Sequence, residues 1–275
     1  MIRIDAHQHF WKVARGDYAW LAAYPKIARD FLPDDLSPLL AAGRIDRTVL
    51  VQAAPTVSET EFLLEIGDAA PFVAGVVGWV ELDSPTAARQ IEQLAARGKL
   101  VGLRPMLQDL PDDRWLLRHE LSPALDAMKQ HGLCFDALVK PRHLPVLAEF
   151  LARHDALGVV IDHGAKPDIA GRDFEPWASH MRQLGRHSHA FCKLSGLVSE
   201  AGAGWSAQIL EPYVDVLLDS FGPSRLMWGS DWPVLNLVGD YAGWLDLAEA
   251  LTKKLTSSER DAIFGGTAAT FYGLR

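Results

Sequence analysis

Ile2-Arg3-Ile4-Asp5-Ala6-His7-Gln8-His9-Phe10-Trp11 reads as a short strand that ends in two histidines spaced i, i+2. Side chains two apart on a strand share a face, so the imidazoles of His7 and His9 leave it together. Imidazole is well suited to binding a metal or moving a proton near neutral pH. At the carboxyl end of a first barrel strand, the pair would stand where barrel enzymes keep their chemistry. Two neighbouring histidines also occur as solvated or core-satisfied groups, so the rest of the chain must decide.

Seven further strand-like runs follow: Arg47–Gln52, Phe72–Val80, Leu100–Arg104, Leu133–Leu138, Gly158–Asp162, Phe191–Leu194 and Arg225–Trp228. With Ile2–His7 they make eight, and their continuous apolar character suits strands covered on both faces. Helical spacing predicts helices over Glu59–Ala69, Ser84 to about Arg97, Pro123–His131, His143–His154, Phe174–Arg186, Ala207–Phe221, Tyr241–Leu251 and Ser257–Tyr272. Ser84-Pro85-Thr86 looks like an N-cap with proline at N1. This alternation predicts an α/β fold with a parallel sheet, either a (β/α)8 TIM barrel or a doubly wound sheet. Two stretches read as long loops that shape a pocket: Lys12–Leu32, rich in aromatic residues, and Lys166–Asp173.

A chain of 275 residues with 49% apolar and 23% charged residues suits one large-cored globular domain spanning 1–275. The formal charge of −8, without a basic run, argues against nucleic acid and anionic membrane surfaces as partners. No apolar stretch reaches the roughly 20 residues that span a bilayer. Cys134 and Cys192 lie in separate apolar segments and read as buried thiols of a reducing compartment. With no leader-like amino terminus, the expected location is cytoplasmic.

Three later strand ends place polar residues after apolar runs. His163 follows Val159-Val160-Ile161-Asp162 and precedes Gly164, where backbone can approach a ligand. Lys193 sits in Phe191-Cys192-Lys193-Leu194-Ser195-Gly196, where burial demands a partner. Asp231 ends Leu226-Met227-Trp228-Gly229-Ser230-Asp231-Trp232-Pro233. Singly, each has an ordinary reading: a helix cap for Asp231, a satisfied core histidine for His163.

Taken in order, these residues resemble the amidohydrolase superfamily, and within it the sugar-lactonase group. The likeness rests on Asp5-Ala6-His7-Gln8-His9-Phe10-Trp11, Cys192-Lys193-Leu194-Ser195-Gly196-Leu197 and Gly229-Ser230-Asp231-Trp232-Pro233. It extends to Asp30-Phe31-Leu32-Pro33 and Gly265-Gly266-Thr267-Ala268-Ala269. The resemblance implies a (β/α)8 barrel of the metal-dependent-hydrolase type. Binuclear members carry a bridging lysine or glutamate on a middle strand, where this chain offers Arg104 and Asp136, so a two-metal site is not expected. His7, His9, His163 and Asp231 would ligate a single divalent ion, zinc foremost, while related lactonases imply that no cofactor is essential.

The resemblance further implies a hydrolase that opens a sugar-derived lactone, such as one from fucose, rhamnose or another aldose. Asp231 would activate water, and His7, His9 and His163 would stabilise the oxyanion, directly or through a metal. Arg104 is the first candidate for binding substrate, with a rim ion pair as its alternative. Pro105 follows it where some members of the group place histidine, so a particular sugar specificity does not transfer. Gln52 is expected to bind hydroxyl groups, Trp11 and Trp232 to form an apolar wall, or all three to pack the barrel mouth. Lys193 would hold a substrate oxygen or neutralise a carboxylate. The expected partner is a small lactone, with a second copy of the chain left open. The competing readings are a mononuclear-zinc hydrolase or decarboxylase of an aromatic-derived acid, and a noncatalytic small-molecule-binding barrel.

Overall fold

The computed structural model describes residues 2–274. Eight parallel strands run in ring order: β1 (Ile4–Gln8), β2 (Arg47–Val51), β3 (Val73–Gly78), β4 (Leu100–Leu103), β5 (Cys134–Ala137), β6 (Val159–Ile161), β7 (Phe191–Leu194) and β8 (Leu226–Trp228). All eight expected runs form strands, each trimmed or shifted by up to two residues except β7, which matches. The ring closes between β8 and β1 through Asp231 N–H to the His7 carbonyl and His9 N–H to the Trp232 carbonyl, both 2.8 Å. The loop that carries Asp231 is therefore also the seam of the barrel.

Eleven α-helical segments occur among the described residues: α1 (Pro33–Gly43), α2 (Val57–Ala69), α3 (Ala87–Ala95), α4 (Ser122–Gln130), α5 (Leu144–Arg153), α6 (Trp177–His187), α7 (Leu197–Ala201), α8 (Ala207–Phe221), α9 (Tyr241–Leu251), α10 (Ser257–Asp261) and α11 (Thr267–Phe271). The expected α3 start is corrected, because Thr86 is the N-cap and Ser84 closes a turn before it. Helix α1 has no counterpart among the predicted helices; Pro33 opens it and Pro38 lies within it. The continuous helix expected over 257–272 is instead broken by a π-turn at Ala262–Gly266. There the chain presses on the start of β1, and a Cβ on Gly265 would lie 2.1 Å from the Ile2 carbonyl oxygen.

Most apolar side chains pack between sheet and helices, and a second, smaller cluster fills the barrel. Ile4, Val49, Val51, Val77, Val160 and Met227 meet Ala268 and Tyr272 there, so the carboxyl-terminal segment plugs the amino-terminal end of the strands. Both cysteines are buried and unpaired. Among the described residues no helix is long and apolar enough to cross a membrane.

Candidate active site

Asp5 builds the seam. Its Oδ1 accepts from Ser230 N–H (2.8 Å) and His7 N–H (3.1 Å), and its Oδ2 from the Tyr241 hydroxyl (3.0 Å). These bonds lock the first strand to the loop after the last, bringing His7 and His9 to Asp231. His9 Nε2 lies 3.3 Å from Asp231 Oδ1 and 3.2 Å from His7 Nε2. Gly229 permits this closeness, since a Cβ there would stand 2.7 Å from the His7 Cβ. Asp231 itself adopts φ +57°, a left-handed conformation that L residues take at a cost.

His163 arrives through a more strained device. His163, Gly164, Ala165 and Lys166 all have positive φ, between 50° and 64°, and form a left-handed turn at the end of β6. Ser195 Oγ, 2.8 Å from His163 Nδ1, fixes the imidazole from the neighbouring β7 loop. Its Nε2 then stands 3.8 Å from Asp231 Oδ1. Trp177 Nε1–H, bonded to the Gly164 carbonyl at 2.7 Å, pins the turn from behind.

Beneath this layer lies a second, made of charge. Lys193 Nζ is 2.5 Å from Asp136 Oδ2, 2.9 Å from Asp162 Oδ1 and 3.1 Å from His7 Nδ1, with all four side chains buried. Arg104 Nη1 lies 3.4 Å from Asp162 Oδ2 and 3.4 Å from His7 Nε2. Its Nη2 donates to the Gln52 carbonyl, while Gln52 Nε2 donates to the Arg104 carbonyl at 2.7 Å. Two cations thus face two carboxylates, as buried charge requires.

This environment sets the protonation states. Burial drives the His163 imidazole down to about 4, against the opposing charges of Asp231 and Asp162. Burial and then the Lys193 ammonium hold His7 well below the ordinary imidazole value. For Asp231, burial alone would raise the carboxyl, but His163, the hydrogen bond with His9 and the charge of His7 hold it below the usual carboxylate range. Asp162 behaves alike, with Lys193, His7 and Arg104 overcoming burial. Asp136 is pushed up to about 6 because burial outweighs its lysine partner. At neutral pH the centre holds an anionic Asp231 beside neutral His7 and His163.

A cavity of about 1060 Å³ opens above, and His9, Arg104, His163 and Asp231 line it. The other expected residues stand behind its wall. His7 is fully buried and does not line the cavity; it lies beneath the lining residues His9, Arg104, His163 and Asp231. Trp11 is also fully buried, giving its Nε1–H to the Arg29 carbonyl and packing on Tyr18, Trp20 and Phe31. Trp232 packs against Phe10 and Phe31. Of the two expectations for these tryptophans, packing of the barrel mouth describes their positions. Gln52 holds Arg104, and Lys193 neutralises carboxylates, because their strand-end side chains turn into the polar layer below the cavity floor.

Sequence reasoning passed over Asp5, Asp162, Ser195 and Glu59. Asp162 directly precedes His163 and ends an apolar run, a signal equal to the one that selected Lys193. Glu59 was read only as the first residue of a predicted helix. It is buried at the start of α2, accepts from Ala53 N–H and Ala54 N–H at 2.9 Å each, and shapes the loop after β2. Trp20, Trp79, Trp115 and Lys140 also line the cavity.

The cluster suits a single metal ion. His7, His9 and Asp231 form one group and His7, Asp162 and His163 another, each with ligand atoms within 4.8 Å of one another. A tetrahedral zinc with nitrogen and oxygen ligands would space them about 3.3–3.4 Å apart. In the first group the separations bracket this, with His7 Nε2–His9 Nε2 at 3.2 Å, His9 Nε2–Asp231 Oδ1 at 3.3 Å and His7 Nε2–Asp231 Oδ1 at 3.8 Å, while His163 Nε2 lies 3.8 Å from Asp231 Oδ1 and groups with His7 and Asp162. His9 Nδ1 donates to the Val51 carbonyl at 2.8 Å, which turns Nε2 toward the centre.

The model of the amidohydrolase family matches residues 4–274. An L-fucono-1,5-lactonase of Burkholderia ambifaria is 49% identical over 98% of this chain and 95% of its own length. A second L-fucono-1,5-lactonase, from Burkholderia multivorans, is 40% identical over 99% of this chain and 96% of its own. The crystal structure of an amidohydrolase from Burkholderia multivorans with bound zinc superposes with a TM-score of 0.94, at 40% identity and over the whole of both chains. Eight parallel strands in a ring, with two histidines at the end of the first and the aspartate after the last, fit that result, and the chain belongs to the amidohydrolase family.

Proposed function

We propose that this enzyme hydrolyses a sugar-derived 1,5-lactone, with L-fucono-1,5-lactone as the leading substrate, to the open hydroxy acid. The observation that carries the reading is the Asp231 carboxylate on the floor of an open cavity, with His9 Nε2 at 3.3 Å and His163 Nε2 at 3.8 Å. Two lactonase relatives spanning nearly the whole chain support the substrate class.

Asp231 accepts a proton from water as the water oxygen attacks the lactone carbonyl carbon. Negative charge moves to the carbonyl oxygen, where the Arg104 guanidinium and a ring N–H of His163 stabilise it. Collapse of the tetrahedral intermediate breaks the bond to the ring oxygen, and the Asp231 carboxyl returns its proton to that oxygen. The product carries a free hydroxyl and a carboxylic acid, which ionises on release. A low-lying carboxylate is a weak base, so the residue works because it is always ionised and close to the water, not because it is strongly basic. His7, His9, His163 and Asp231 would hold a divalent ion, which when bound would polarise the carbonyl and lower the pKa of bound water.

Proton release from a panel of aldono-1,4- and 1,5-lactones, before and after rigorous metal removal, tests the reading. The expected outcome is fast turnover of a 6-deoxyhexono-1,5-lactone. Absence of turnover on every lactone in both states would refute it.

A further inference from the structure

We propose that Glu200, held in place by Lys166, is a specificity-determining residue that accepts hydrogen bonds from the ring hydroxyl groups of the sugar lactone. The assignment rests on the lactonase reading and extends it from the reacting carbonyl to the rest of the ring.

The strands follow one another in ring order, so the loops after β1–β4 face those after β5–β7 across the cavity. Above the floor, the first arc meets the cavity with Trp20, Trp79, Met106 and Trp115. Its acidic side chains are engaged or peripheral. Asp17 pairs with Arg15 at 2.8 Å, Asp83 accepts from Trp115 Nε1–H at 2.9 Å, and Glu81 and Asp109 are exposed. The opposite arc is polar, with Lys140 after β5, Lys166 after β6, and Ser199 and Glu200 in α7. Asp231, after β8, lies between the two arcs.

A 6-deoxyhexono-1,5-lactone divides in the same way. C2, C3 and C4 carry hydroxyl groups along one edge, while the other edge holds the ring oxygen and, on C5, a methyl group. With the carbonyl carbon over Asp231, the hydroxylated edge matches the polar arc and the methyl group the aromatic one.

Glu200 is built to receive that edge. Its Oε1 lies 2.6 Å from Lys166 Nζ, and the two side chains are only 22% and 23% exposed. Glu200 N–H donates to the Gly196 carbonyl and Ala170 N–H to the Glu200 carbonyl, both at 3.1 Å. Lys166 is fixed in turn, since its N–H donates to the His163 carbonyl at 2.9 Å within the left-handed turn. A carboxylate offers about four acceptor positions, so one ammonium leaves room for neighbouring hydroxyl groups. The adjoining Ser199 Oγ is buried without a hydrogen-bond partner among the described residues, although Ser199 lines the cavity. Leaving a buried hydroxyl unpaired is costly, and a ligand hydroxyl would relieve that cost. An ion pair that merely fastened the loop to α7 would be blind to the hydroxyl groups of the substrate.

The test compares the full-length parent with Glu200→Ala and the near-isosteric Glu200→Gln on L-fucono-1,5-lactone and its 2-, 3- and 4-deoxy analogues. Glu200→Ala should lower kcat/KM for L-fucono-1,5-lactone roughly 10–100-fold, chiefly through KM, because bonds to a charged acceptor are lost. It should slow at least one deoxy analogue by less than about threefold, since the hydroxyl that Glu200 binds is already gone. Glu200→Gln should show the same pattern at a smaller size, and decides the matter if Glu200→Ala does not fold. With an active parent, a folded variant that is unchanged, or slowed equally on every lactone, overturns the assignment alone. A parent inactive on every lactone overturns the lactonase reading, and the assignment falls with it.

Discussion

Two residues expected at the centre, His163 and Asp231, occupy left-handed backbone, and two glycines make room beside their neighbours. Glycine in Gly196 serves twice, because its φ is +67° and a Cβ would fall 2.6 Å from His163 Nδ1. Gly196→Ala should therefore cost about 1–3 kcal/mol of stability, from strain and overpacking. It should also lower kcat/KM at least tenfold by displacing the imidazole, which urea unfolding and lactone turnover would measure. A variant as active and stable as the parent would refute that account. Asp231→Asn keeps the side-chain shape but cannot take a proton, so turnover should fall roughly 10²–10⁴-fold with the fold intact by circular dichroism. A folded variant with near-parental rates would exclude Asp231 as the base. The polar residues that lead off the strand ends were legible in the sequence because a charge after an apolar run is conspicuous. Their depth was not, since a strand shows which face a side chain takes and not whether it lies on the cavity floor or one layer beneath. His7 and His9 illustrate the point: two residues apart, one lines the cavity and the other is covered by it.

At the scale of elements, the strands were readable because parallel strands covered on both faces leave unbroken apolar runs. The helix expected over 257–272 failed where tertiary contact overrode local pattern, at the π-turn that yields to the start of β1. The junction of β2 and α2 shows an element positioning the site through a charge of its own. Thr56 caps α2, and Glu59 reaches back to Ala53 and Ala54, while the carbonyl of Gln52 holds Arg104. Burial pushes the Glu59 carboxyl up to about 7, despite hydrogen bonds from both loop N–H groups. Its ordinary value is 4.5, so between these limits the folded state binds more proton than the unfolded state. Stability from this group therefore falls as pH rises from about 4.5 to about 7, by on the order of 3 kcal/mol. Urea unfolding at pH 5 and pH 8 should show that loss in the parent and a markedly smaller pH dependence in Glu59→Gln. Equal pH dependence in both proteins would mean that Glu59 does not titrate in this window.

Across the whole molecule, a column of polar contacts runs from the plugged end of the barrel to the catalytic end. Tyr272, just beyond α11, gives its hydroxyl proton to Asp136 Oδ2 at 2.8 Å, and the same oxygen holds Lys193, which holds His7. Sequence patterning foresaw eight parallel strands and the family resemblance implied their ring, but neither foresaw this column, because its members lie on β1, β5, β7 and the last turn of the chain. Nothing local joins residues 7, 136, 193 and 272; only closure of the barrel does. The column also explains why a tyrosine, and not another apolar residue, closes the interior cluster of Ile4, Val49 and Val160. Removing its hydroxyl while keeping its ring separates the two contributions. Tyr272→Phe leaves the packing and takes one donor from a buried carboxylate, which should cost about 1–3 kcal/mol. Tyr272→Ala should cost more, about 3–5 kcal/mol, by opening a cavity in the plug. Lys193 retains Asp162 and His7 in both variants, so kcat of the folded Tyr272→Phe protein should stay within a few-fold of the parent. Denaturant unfolding and lactone turnover measure the two effects separately. A Tyr272→Phe protein as stable as the parent would reduce the column to packing alone, whereas lost stability with preserved turnover would identify the hydroxyl as structural support for Asp136.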